Sequence, residues 1–129
     1  MRNYDYFPQI LLISLFPILP YFMLNYTVNS LDSAPRVPFK FDGRILFTCE
    51  TCELIHLTLQ PGEGMELHSQ PMDVVFFVVE GSGSLAIGEE VLRVAENTTV
   101  HVKAGALRGW KNSGTVPLRI LVNKYYLEK

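Results

Sequence analysis

The sequence predicts an all-β domain, a sandwich or barrel of short strands, carried behind an apolar N-terminal extension. Three observations lead there. From Phe39 onward, short apolar-rich runs alternate with turn residues at the spacing of a sandwich or barrel. No stretch after residue 38 has helical periodicity. The run VVFFVV at 74–79 is apolar on both faces, because Val74, Phe76 and Val78 alternate with Val75, Phe77 and Val79. With 129 residues, one core is expected rather than two.

The chain opens on a segment without charge from Tyr6 to Leu31, nearly continuous hydrocarbon between Ile10 and Leu24. Pro17 and Pro20 interrupt it where a helix would need backbone donors. The start MRNYD is nearly neutral and no small-residue cleavage site follows closely, so a secretory signal fits poorly. Residues 7–28 admit three readings: a membrane anchor, a hydrophobic arm that packs on the domain or a sister subunit, or a poorly structured extension. As a span, Arg36, Lys40 and Arg44 outnumber Arg2, which would leave the C-terminal domain cytoplasmic. A turn-rich linker, Asn29 to Pro38, divides this segment (1–38) from the β-domain (39–129).

The strands follow in order. RILFTC and CELIHLTLQ form a pair joined through Glu50 and Thr51, PGEG at 61–64 is a turn, and strands are expected near 65–70 and 74–80. GSGS at 81–84 opens a hairpin whose arms SLAI and VLRV turn at Gly88 to Glu90. TTVHV, a strand through Trp110 and LRILVNKYY complete the set, with turns at Lys103 to Gly105 and Asn112 to Gly114.

Charge excludes one class of partner. With 11 Lys+Arg against 13 Asp+Glu and no run of like charge, nothing provides a surface for nucleic acid. Cys49 and Cys52 are the only cysteines, too few and too close for a disulfide framework, and point to a reducing, cytoplasmic setting. Their CxxC spacing is that of a redox or half-zinc motif, but a hairpin tip supplies neither a helix N-terminus nor further ligands.

Two spacings carry the chemistry. Gly62, His68, Gln70, Val74 and Gly81 make the first; Asn97, Lys103, Gly105, Arg108 and Asn112 make the second, after a 15-residue spacer. Together they resemble the two motifs of the cupin superfamily, small single-domain RmlC-like proteins built as a double-stranded β-helix, or jelly-roll barrel. The resemblance covers roughly residues 39–124 and implies four metal-ligand positions, usually three His and one Glu. Only His68 is retained; Gln70, Val74 and Arg108 stand at the others. Gln70 is a weak donor, Val74 has none, and Arg108 puts a permanent positive charge where a cation would sit, so neither metal nor other cofactor is expected.

Arg108 then has two readings. It either presents a fixed, forked donor to a carboxylate or phosphate, or it is neutralised by Glu66 or Asp73 and merely cross-links the barrel. His68 could move protons or serve only as a hydrogen-bonded packing residue. Trp110 shares the face of Arg108 and could stack on a ligand or fill the core. His101 should point outward, while the orientation of His56 is open.

The expected function is a metal-independent small-molecule-binding domain, sensory or accessory, with an anionic ligand held by His68, Gln70, Arg108 and Trp110. The alternatives are a metal-free enzyme, isomerase- or epimerase-like, in which His68 transfers a proton, and a purely structural dimerisation module. Leaning against catalysis is the lack of a clear second acid beside His68. The two-faced apolar strand at 74–79 leads to the expectation of a homodimer.

Overall fold

Short runs rich in β-branched and aromatic residues, divided by turns, form strands, and the computed structural model, which describes residues 25–126, contains eight of them. They are β1 (Asp42–Thr48), β2 (Cys52–Leu59), β3 (Asp73–Glu80), β4 (Gly83–Ile87), β5 (Glu90–Val94), β6 (Thr99–Val102), β7 (Arg108–Lys111) and β8 (Leu118–Tyr125). Most of the apolar segment 7–28, and so the choice among anchor, arm and extension, lies outside the described residues. Among those described, no helix is long and apolar enough to cross a membrane.

Every ladder is antiparallel. One sheet has the order β1-β2-β8-β3-β6 and the other β5-β4-β7, so neighbours distant in sequence pair across the barrel. The inward faces meet in one core. Ile55, Leu57 and Leu59 of β2, Val74, Phe76 and Val78 of β3, and Leu118, Ile120 and Val122 of β8 pack against Leu85, Val94 and Trp110 of the other sheet. Trp110 meets Phe76 edge-to-face at 5.4 Å between ring centroids.

The chain changes sheets at Gly81–Ser82, where two glycines serve different ends. Gly81 has φ of +81°, and a side chain there would also strike the Pro117 carbonyl. Gly83 leaves room for Leu118 and the benzo edge of Trp110, which lie against its backbone.

The strand expected at 65–70 does not form as a ladder. Residues 64–68 run beside β7 and touch it through two isolated bridges, Gly64 to Lys111 and His68 to Arg108. Four residue steps on one side thus face three on the other, and a bulge absorbs the extra residue. The backbone of Met65 and Glu66 comes so close to Gly109 that a Cβ there would lie 2.8 Å from the Met65 carbonyl oxygen.

Residues 29–37, read from composition as a linker, lie along the outer edge of β1. Val37 and Ile45 donate backbone hydrogen bonds to the Gly43 and Pro35 carbonyls, the Asn29 side chain donates to the Leu46 carbonyl, and Ala34 is buried. Prolines and serines disfavour regular structure here, but an unpaired strand edge offers donors and acceptors that such a segment can meet.

Candidate functional site

Between the two sheets lies a cavity of about 540 Å³. Its walls are Ile55 and Leu57 from β2, Phe76 from β3, Trp110 from β7 and Val122 from β8, all buried. Its rim carries Phe39, Lys40, Phe41, Glu66, His68 and Gln70, with Lys124 at the end of β8. Phe39 is half exposed and its ring stands 5.0 Å from that of Phe41, so one lip is aromatic. The four residues singled out in the sequence, His68, Gln70, Arg108 and Trp110, all border this space.

Alternation along β7 puts Arg108 and Trp110 on the inward face and leaves Gly109 beneath the 64–68 segment. Arg108 is only 4% exposed. Its Nη1 donates to the His68 carbonyl at 3.3 Å, and its Nε–H has no partner. Among the described residues no carboxylate forms an ion pair with it. Burial alone pulls its pKa below the ordinary arginine value.

The two carboxylates that the sequence offered as its internal partners do not take that role. Asp73 accepts from His101 Nε2 at 2.8 Å and from the Ala104 amide at 3.0 Å, and these bonds, His101 first, hold its pKa below the usual carboxylate value. Glu66 is exposed at the rim. Lys124, the other cation facing inward, is paired with Glu53 across β2 and β8 at 3.5 Å. The cavity therefore holds an uncompensated positive charge at Arg108.

His68 is exposed on the rim, where its Nδ1–H donates to the Glu66 carbonyl at 3.1 Å. That bond leaves Nε2 as the unprotonated nitrogen of the neutral ring. Trp110 both packs on Phe76 and lines the cavity, and its buried Nε1–H has no partner. His101 points outward, toward Asp73.

His56 lies on the outer face of the large sheet and is nonetheless buried. Arg119 Nε donates to its Nε2 at 3.1 Å, which requires a neutral ring with its hydrogen on Nδ1. Burial first, then the Arg119 charge, lowers its pKa. Asn112, in the sequence only a spacing landmark, is buried and fully engaged. Its amide donates to the Leu59 and Val116 carbonyls, and its oxygen accepts from the Gly114 amide.

A divalent metal does not fit this set. Val74, at the position where the motif spacing expects a carboxylate, is a core residue, and Arg108, at the position expected of the third imidazole, is a buried cation. Among the described residues no three His, Cys, Asp or Glu side chains converge on one point. At the far hairpin tip, Cys49 and Cys52 are free thiols with sulfurs 3.5 Å apart. Hydrogen bonds from the Thr51 hydroxyl and amide and from Cys52 lower the Cys49 pKa to about 7.

Two packed antiparallel sheets of this order, with a pocket between them, define the class of double-stranded β-helix proteins. Within that class the chain belongs to the cupins: the family model described as "Cupin domain" matches residues 55–123. Solved structures share the fold. The protein TT1209 from Thermus thermophilus is 25% identical, with a TM-score of 0.68 over 78% of this chain and 98% of that one. An RmlC-like cupin from Methanocaldococcus jannaschii is 21% identical (TM-score 0.67, 80% and 93% covered). KdgF from Halomonas sp. is 11% identical (TM-score 0.69, 81% and 97% covered). No curated protein matches the chain.

Proposed function

We propose that this domain is a metal-independent binding module for a small anionic molecule, held in the cavity between the sheets. The observation that carries the proposal is Arg108: a buried guanidinium with an unused Nε–H, no carboxylate partner among the described residues, and an open cavity in front of it. A buried charge is normally paired, and a ligand carboxylate or phosphate supplies what the chain does not. The volume falls in the range that encloses a small organic ligand. An open cavity also counts against a purely structural module, whose barrel would be filled.

Thermal-shift measurements against carboxylates and phosphates test the proposal. Stabilisation by an anion that disappears in Arg108→Ala is the expected result; stabilisation unchanged by that substitution would remove Arg108 from the site and the proposal with it.

Proton transfer by His68 is the second reading, favoured by the bond to Glu66 that leaves Nε2 free to accept a proton. Neither Tyr125, the last residue of β8, nor Tyr126, bonded through its amide to Thr51 at the hairpin tip, lines the cavity, so neither supplies the second acid. A His68→Ala variant with full turnover of any substrate found would end this reading.

A further inference from the structure

Arg108 and Trp110 line the cavity from the inward face of β7, two residues apart, and each carries one buried N–H without a partner, Nε–H and Nε1–H. The orientation of the indole adds to this. A Cβ on Gly83 would lie 3.1 and 3.2 Å from its Cε3 and Cζ3, so the benzo edge rests on Gly83 and the N–H edge is turned the other way. The remaining inner wall, Ile55, Leu57, Phe76 and Val122, offers no hydrogen-bonding side chain.

We infer that the ligand is a monocarboxylic acid with an apolar, ring-sized body, and not a phosphorylated sugar; this rests on the reading of the cavity as an anion site. A carboxylate carries one charge and two acceptor atoms, which suits the single forked guanidinium of an otherwise apolar wall. A phosphate brings nearly twice the charge and three acceptor oxygens; beside Arg108 the cavity offers only Lys124, already paired with Glu53, and Lys40, exposed out at the rim. The hydroxyls of a sugar would lose water against Leu57, Phe76 and Val122 and find side-chain partners only toward the rim, at Glu66, His68 and Gln70, whereas a ring gains from the same apolar contact and from the face of Trp110. The rim residues His68, Lys40 and Glu66 remain in water and set no such restriction.

The test is calorimetric titration of the full chain with four probes: naphthoate, its neutral analogue naphthamide, glucose phosphate and inorganic phosphate. The expected result is that naphthoate binds about 10- to 100-fold more tightly than naphthamide, the span of one charge-assisted hydrogen-bond set, and more tightly than either phosphate. Arg108→Gln should erase the difference between acid and amide. The acid–amide comparison uses the unaltered chain, so it stands even if that variant fails to fold. Tighter binding of glucose phosphate, lost in Arg108→Gln, would overturn this inference and leave the anion site intact. Equal binding of naphthoate and naphthamide, or binding by none of the four, would overturn both.

Discussion

Replacing Arg108 by methionine should make this protein more stable while emptying the cavity of its charge. Arg108 is 4% exposed, and its guanidinium makes one long hydrogen bond, 3.3 Å to the His68 carbonyl. That bond, being charge-assisted, returns about 1.5–3 kcal/mol at best. Against it stand the unmet Nε–H, which costs about 1–3 kcal/mol, and the desolvation of a cation with no carboxylate beside it, which costs several kcal/mol more. Methionine is unbranched, similar in length and suited to an irregular apolar wall. A gain of about 1–4 kcal/mol is therefore expected, as for other buried charges exchanged for apolar side chains. Urea denaturation followed by fluorescence of the single tryptophan, Trp110, reads it directly. With a slope of about 1–3 kcal/mol per molar urea for a small domain, the midpoint should rise by roughly 1 M. A midpoint that falls would mean that Arg108 is a structural cross-link, and the case for a ligand anion would lose its foundation.

Other expectations concern packing, titration and thiol reactivity. Gly83→Ala should destabilise the fold by about 1–3 kcal/mol, because the new methyl would lie 2.5 Å from Leu118 Cδ2 and 3.1 Å from the indole; an unchanged thermal midpoint would refute that packing. His56 has a folded pKa below its unfolded value near 6.5, so its stabilising contribution is present above that value and is lost as pH falls through the folded pKa. His56→Leu should accordingly flatten the fall in stability below neutral pH, and an equally steep profile would show that the ring titrates freely. Cys49, with a pKa of about 7, should be alkylated before Cys52, at a rate that is half-maximal near neutral pH; a rate still rising steeply above pH ~8.5, the ordinary thiol value, would contradict the hydrogen bonds assigned to it.

The motif spacings were legible in the sequence because the backbone demands them. Gly62, Gly81 and Gly105 adopt positive φ, and Asn97, where the first glycine of the second motif is expected, does so too at +62°. Asparagine is among the few side chains that tolerate this conformation, so the substitution keeps the turn. The ligand positions face no such constraint, and Val74 has become one more buried residue of β3.

What the sequence hid arises from strand pairing between distant segments. Asp73 looked available to Arg108 until the β3–β6 register set it beside His101. His56 had no readable orientation because its partner, Arg119, lies 63 positions away on β8. The bulge at 64–68 was equally hidden: the local residues suit a strand, and only the register with β7 shows the extra one.

The segment 29–37 along β1 bears on how copies of this chain could join. The two outer strands of the five-stranded sheet are β1 and β6. By occupying hydrogen-bonding groups of Gly43, Ile45 and Leu46, this segment shields the β1 side from strand addition by another chain. In the five-stranded sheet, strand addition by another chain is thereby left to the four-residue β6, a short template, while the five-residue β5 is an edge of the three-stranded sheet.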